Sequence, residues 1–400
     1  MTSPRHSFLT HLDCPVCRQS YPADQLQTYC HECDSPLAAA YDLEALRAEC
    51  KPSDISRRTG GMWRWWELLP LRDPAYRVSL GEGGTPLIRL ARLGESLGVE
   101  RLWIKEEGLN PTGTFKARGL SAAISKAREL GASGFVIPTA GNAGGALAAY
   151  AARAGLPAHV YMPADAPLVH RWEVEQSGAH LVLVDGLIDE AGRLASKSAG
   201  EHGWFNLATF REPYRLEGKK TLGLELAEAF GWELPQVIVY PTGGGTGLVG
   251  MWKAFEELKQ LGWISGDLPR MVSVQAAGCA PIVRAIERGA ERAEPWDNAA
   301  TYAGGLRVPQ VFADRLILEA IRSSGGTAVA VTEAEIELAR RQLVQIEGVL
   351  ACPEGAATLA GLVRLLQIGS IDREESIVIY NTGTGMKHLL DERPDVSETR

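Results

Sequence analysis

No apolar run in the 400-residue chain approaches the roughly 18 residues a membrane-spanning helix needs, so no membrane span is expected. Basic charge is not in excess either. The 41 Lys and Arg stand against 49 Asp and Glu, a formal net charge of -8. No strongly basic face is implied, which argues against nucleic acid as a main partner. The segment Met1–Leu12 carries Arg5, His6 and His11 but no apolar core of the kind a secretory signal has, so a cytoplasmic location is expected. The pattern Gly-x-x-x-x-Gly-Lys-Ser/Thr is missing, which excludes a nucleoside triphosphate loop of that type. There is no repeat at a solenoid period and no low-complexity linker. What remains is the composition of a globular protein of two or three domains, 45% hydrophobic and 22% charged, with 43 glycines.

Four of the seven cysteines fall in the pattern Cys14-x2-Cys17-x12-Cys30-x2-Cys33. In a chain without an export signal, paired knuckles of this spacing read as a tetrahedral zinc site in preference to two disulfides. Four thiolates leave no open position, so the metal would be structural. It would stabilise a segment, residues 1–42, too short to hold a core unaided. A redox or metal-free cluster, or His31 in place of one cysteine, are the other readings of the same pattern.

An aromatic stretch follows, Gly61-Met62-Trp63-Arg64-Trp65-Trp66, read as packing against the domain beneath it. Beyond about Val78, short apolar runs alternate with helical patterns. Strands are predicted at Leu102–Lys105, Gly134–Pro138, His159–Met162, His180–Val184, Val237–Tyr240, Met271–Gln275, Ala328–Val331 and Ser376–Tyr380. Helices are predicted at Ala143–Ala154, Ile188–Gly200, Leu222–Phe230, Leu248–Leu261, Glu333–Ile346 and Gly355–Leu366. This is an α/β architecture with open, mostly parallel sheets covered by helices on both faces.

Four segments carry chemistry. In Asn110-Pro111-Thr112-Gly113-Thr114-Phe115-Lys116-Ala117-Arg118-Gly119, a turn places Lys116 at the start of a helix. A helix N-terminus and partial burial both disfavour the ammonium, and a neutral amine is what Schiff-base chemistry requires. Taken alone, Lys116 reads more readily as a surface lysine after a turn than as a functional one. In Pro138-Thr139-Ala140-Gly141-Asn142-Ala143-Gly144-Gly145, Asn142 leaves a strand's carboxyl end, either as an amide ligand or as a helix N-cap. Gly243-Gly244-Gly245-Thr246-Gly247 opens a helix after a strand, which suits a phosphate held by main-chain amides. In Tyr380-Asn381-Thr382-Gly383-Thr384-Gly385-Met386-Lys387, a strand-end hydroxyl can meet a ring nitrogen without bringing a negative charge.

These segments together resemble the fold-type II, tryptophan synthase β-like, pyridoxal phosphate enzymes, and within them the threonine synthases, over nearly the whole chain from Cys14 to Leu390. The resemblance implies a two-domain enzyme with a small N-terminal zinc ribbon at 1–42. Its large cofactor domain comprises 60–119 and 223–390, its small domain 120–222, and 391–400 is a frayed tail. It implies that Lys116 holds pyridoxal 5'-phosphate as a Schiff base, Asn142 meets the phenolic oxygen, Gly243, Gly244, Gly245, Thr246 and Gly247 bind the phosphate, and Thr382 meets the pyridine nitrogen. Glu212-Pro213-Tyr214-Arg215-Leu216-Glu217-Gly218-Lys219-Lys220-Thr221 is similar to the segment whose arginine meets the substrate phosphate. That makes Arg215 the candidate, against an ion pair with Glu212 or Glu217 on a solvated face. Thr85, in Gly81-Glu82-Gly83-Gly84-Thr85-Pro86-Leu87, lies in a loop similar to the family's substrate-side loop. The implied activity is conversion of O-phospho-L-homoserine and water to L-threonine and phosphate, a carbon–oxygen lyase reaction on a small amino acid, in a homodimer. Ala117 departs from the acidic residue usual in threonine synthases and is closer to serine/threonine dehydratases. An ammonia-lyase or β-replacement enzyme is therefore the second reading, and a non-catalytic metabolite-binding protein the third.

Overall fold

The computed structural model describes residues 6–388, so the tail at 391–400 lies outside the described residues. Three sheets organise them. The largest has six strands in the spatial order Thr327–Val331, Arg270–Ala276, Val237–Pro241, Ile377–Asn381, Leu102–Glu106 and Leu87–Arg89. All neighbours run parallel except the edge strand Leu87–Arg89. Every residue of Val237–Pro241 and Ile377–Asn381 is buried, because helices cover both faces. The second sheet is wholly parallel, in the order His180–Val184, Ala158–Pro163, Phe135–Pro138 and Phe205–Asn206. The third is a small antiparallel sheet with Leu9–Asp13 between Ser20–Pro22 and Ala38–Tyr41.

All eight predicted strands are present, within about two residues at their ends. Five of the six predicted helices are similarly placed. Glu333–Glu347, for instance, is set by local chemistry: Thr332 and Glu335 form a reciprocal capping box, and Gly348 closes the helix in the left-handed region. The sixth is corrected. The helix expected at Leu222–Phe230 runs from Tyr214 to Ala229 and is buried from Tyr214 through Ala227. Its first turns carry Arg215, Glu217, Lys219 and Lys220, a composition that reads as solvent-facing. Burial is possible because charge meets charge. Glu217 pairs with Lys220 at 2.8 Å and Lys253 at 2.9 Å, Lys220 reaches Glu257 at 2.8 Å, and the Tyr41 hydroxyl donates to Glu217 at 2.9 Å.

This buried helix crosses the helix Lys116–Glu129 at two glycines. A Cβ on Gly218 would lie 2.1 Å from the Arg118 carbonyl oxygen and 2.9 Å from Gly119 Cα. No side chain fits there, so the two backbones touch and the lysine helix is fixed against the core. The aromatic stretch packs as expected: Trp65 is fully buried, and Trp63 Nε1 donates to Glu82 and to Ser121 Oγ. Among the described residues no helix is long and apolar enough to cross a membrane. Gly218→Ala is expected to force the two helices apart and destabilise the protein by about 1–3 kcal/mol or more, read from the midpoint of urea unfolding.

Candidate active site

The chemistry-bearing segments converge at the carboxyl ends of parallel strands, where open α/β sheets bind ligands. Leu102–Glu106 leads through two short turns to Lys116, Val237–Pro241 into the glycine loop, Ile377–Asn381 into Thr382, and Phe135–Pro138 into Asn142. Contacts tie them together. The Phe115 amide donates to the Thr382 carbonyl at 3.0 Å, and Thr114 bridges Gly383. Lys116 is thereby set beside the Thr382 turn, at the first position of its helix.

Burial lowers the Lys116 amine, the nearby positive charge of Arg215 lowers it further, and Glu354 and Cys352 oppose this only in part. The result is about 8 against an ordinary 10.5. A far larger fraction of the amine is thus neutral near physiological pH than in an ordinary lysine, and neutral is the form a carbonyl-condensing lysine needs. Thr382 is buried, with its hydroxyl 3.8 Å from Cys352 Sγ.

The glycine loop has the features of a phosphate cradle. Among the described residues the amides of Gly243, Gly244 and Gly245 find no acceptor. Behind them starts the 16-residue helix Thr246–Leu261, whose N-terminus favours an anion. The loop must be bare, because a Cβ on Gly243 would lie 2.1 Å from the Gly305 carbonyl and one on Gly247 1.9 Å from the Tyr240 hydroxyl. A free amide triplet beside a part-neutral lysine fits a phosphate-bearing aldehyde, so these residues suit pyridoxal phosphate.

Arg215 is fully buried, which removes the solvated-face alternative. Its Nη1 donates to the Leu207 carbonyl at 2.6 Å and to Thr209 Oγ1 at 3.3 Å, while its Nε has no partner among the described residues. Glu212 caps the helix through the backbone amides of Tyr214 and Arg215 and does not take the guanidinium. Burial raises Glu212 to about 7, against the pull of Arg215. Thr209 also links Arg215 to the cradle, since its Cγ2 lies 2.9 Å from where a Gly244 Cβ would be. Asn142 is not an N-cap; Gly141 is, and Asn142 is the first helical residue. Thr85 is drawn into a buried network: its hydroxyl donates to Glu107 at 2.5 Å and accepts from Arg118 at 3.1 Å.

Several participants were not singled out from the sequence. Arg118 is wholly buried between Glu107 and Glu225, two residues beyond Lys116. Glu354 accepts from the Gly305 amide at 2.6 Å beside the cradle. Lys219 is buried without a carboxylate partner among the described residues, its Nζ donating to the Phe115 carbonyl. Burial, then the charges of Lys116 and Arg215, push its amine well below the ordinary range. The spacing Arg215-x3-Lys219, one helical turn on one face, was the available signal.

The family model described as "Pyridoxal-phosphate dependent enzyme" matches residues 78–383. The chain belongs to the pyridoxal-phosphate-dependent enzymes. Its relatives include the threonine synthase of Methanosarcina acetivorans, 38% identical over 95% of this chain and 92% of that protein. Another is the threonine synthase of Methanocaldococcus jannaschii, 36% identical over 94% and 92%. Among solved structures, maize serine racemase aligns with a TM-score of 0.67 at 23% identity, over 77% of this chain and 93% of that one. The threonine deaminase isoform 2 of Solanum lycopersicum aligns at 0.65 and 24% identity, over 81% and 87%. Those two likenesses establish the fold alone, that of fold-type II family members.

The amine of Lys116 is reactive only when neutral, so in the apoprotein its condensation with pyridoxal phosphate should accelerate with rising pH and level off above about 8. Stopped-flow absorbance across pH 6–11 checks this; a rate still climbing toward 10.5 would show an unperturbed lysine.

Proposed function

We propose that the protein is a threonine synthase, releasing phosphate from O-phospho-L-homoserine and adding water to give L-threonine. The observation that carries this reading is Arg215, a buried guanidinium with no carboxylate partner and an unpaired Nε among the described residues, near enough to Lys116 for its charge to lower that amine. A cation so placed is costly unless an anion comes to it. The similarity to threonine synthases supports the reading because it extends over 95% of the chain.

Pyridoxal phosphate, when bound, supplies the electron sink that makes protons at the substrate's Cα and Cβ acidic. Lys116 anchors it, and the glycine amides with the Thr246–Leu261 dipole take its phosphate. The Asn142 amide meets its phenolic oxygen. The Thr382 hydroxyl meets its ring nitrogen without the charge that would keep that nitrogen protonated. Once released by the substrate, the neutral Lys116 amine takes the Cα proton and returns it. Arg215 holds the substrate phosphate and stabilises the charge that builds as the Cγ–O bond breaks and phosphate departs. A Cβ proton is lost as phosphate departs and Cγ takes one up; the oxygen of water then bonds to Cβ as that water gives up one of its protons. The Thr85 loop, locked by Glu107 and Arg118, forms the wall on the substrate side.

The structural role of the metal belongs to this reading too. Cys14, Cys17, Cys30 and Cys33 place their sulfurs within 4.8 Å of one another, with the pairs Cys14–Cys33 and Cys17–Cys30 at 3.4 Å. The two knuckles repeat one geometry. Arg18 and Asp34 both take positive φ, and their amides donate to the carbonyls of Cys14 and Cys30 at 2.9 Å. We assign a structural zinc there. The division into a large domain at 60–119 and 223–390 and a small one at 120–222, a cytoplasmic location and a homodimer are further parts of the proposal; sedimentation velocity tests the last.

Phosphate and ammonia assayed in parallel distinguish the activities. The protein should release phosphate from O-phospho-L-homoserine, and Arg215→Ala should lower kcat/KM by roughly 30- to 5,000-fold, as expected where truncation costs about 2–5 kcal/mol. Ammonia from threonine or serine, no phosphate, and a silent Arg215→Ala would favour the ammonia-lyase reading that Ala117 suggests. Metal analysis of the purified protein should give one zinc per chain. Cys30→Ser should lose it along with stability, and stoichiometric zinc surviving removal of two of the cysteines would overturn the site.

A further inference from the structure

Lys387, five residues beyond Thr382, is a buried lysine whose three donors are all engaged. Its Nζ lies 2.7 Å from the Thr112 carbonyl, 3.1 Å from Asn142 Oδ1 and 2.5 Å from Glu173 Oε1. It therefore joins the turn before Lys116, the helix start that carries Asn142, and the helix Leu168–Gln176. With no donor left over, it is not placed to bind an anionic substrate.

An ammonium has donors and no acceptor. Only the oxygen of the Asn142 amide can face it, so the chemistry of Lys387 fixes which way round that amide sits. The Nδ2 group must point away, and among the described residues it donates to nothing. Glu173 makes this control necessary. Its carboxylate sits on the same ammonium as Asn142 Oδ1, and without the lysine between them it would attract the NH2 end of the amide. Burial opposes ionisation of Glu173, but His170 and Lys387 hold its carboxyl below the ordinary range, so it stays an acceptor. Room for the arrangement is built into the sequence. A Cβ on Gly113 would lie 3.3 Å from Lys387 Cε, and one on Gly145 2.7 Å from Glu173 Oε2.

We propose that Lys387 is a positioning residue that orients the Asn142 amide so that its NH2 group faces the phenolic oxygen of the cofactor, against the pull of Glu173. The inference rests on the placement of Asn142 in the proposed function. A donor aimed at that oxygen favours its ionised form; an amide turned round presents an oxygen to it and favours the protonated phenol.

The test uses the holoenzyme and reads the visible spectrum as a function of pH together with cofactor affinity. Lys387→Met should move intensity from the yellow band to the near-ultraviolet form and weaken pyridoxal phosphate binding by about 10-fold, the scale seen when an outer partner that orients a ligand is lost. Lys387→Arg, which keeps cationic donors, should restore most of the band. In an Asn142→Ala background the further change Lys387→Met should have less than about a twofold effect, because the two act as one unit. If Lys387→Met does not fold, Lys387→Gln serves in its place. A spectral change in Asn142→Ala with none in the Lys387 variants overturns the inference alone, as does a full Lys387 effect that persists without Asn142. A silent Asn142→Ala removes the placement of Asn142 and the inference with it.

Discussion

The site hangs on one buried guanidinium. Arg118 lies between Glu107 and Glu225, with bonds of 2.7–2.8 Å to each, and reaches Thr221 at 2.9 Å and Thr85 at 3.1 Å. Lys105 adds a second cation on Glu225 at 2.9 Å. Two cations and two carboxylates balance, and the partners come from four segments: a strand of the large sheet, the turn after it, the substrate-side loop and the buried helix. Such a cluster is no bargain in stability compared with apolar packing, but removing one member leaves an uncompensated buried charge. Its value is geometric. The planar fork of Arg118 demands fixed directions, and Lys116 sits two residues away on the same helix.

The glycine crossing enforces the same result by exclusion. Gly119 and Gly218 let two backbones meet, and the helix Tyr214–Ala229, which crosses the helix of Arg118 there, brings Arg215 and Lys219 past the lysine. The cations are thus delivered by a helix whose polar face is turned inward, and the electrostatic environment that lowers Lys116 is a property of the packing. Arg215 does not have to be near Lys116 by any loop closure; it is carried there by a rigid element.

How far the sequence revealed this follows from the type of signal. The strands were legible because strands buried on both faces are continuous apolar runs, as in Val237–Pro241. The strand-end segments were legible because glycine, proline and a lone lysine interrupt those runs. The helix Tyr214–Ala229 was truncated at the sequence level because its buried face is charged, and no periodicity of apolar residues marks a helix buried by ion pairing. Arg118 and Lys387 both stood inside the motifs that drew attention to Lys116 and Thr382. Their roles depend on partners 107 and 245 residues distant in the chain, Glu225 and Asn142, which spacing alone does not expose.

The cysteine-bearing sheet is not an appendage: Leu12, Cys14, Cys30 and Leu37 belong to the same contiguous apolar body as Ala117, Leu120 and Ala143. The helix of the reactive lysine is therefore backed by a wall to which the N-terminal segment contributes. An acidic residue at 117 would place a carboxylate in a fully buried position within that wall, where alanine has no exposed surface. The choice of alanine is thus tied to the packing of that shared body: a carboxylate at 117 would be costly there unless a cation came with it.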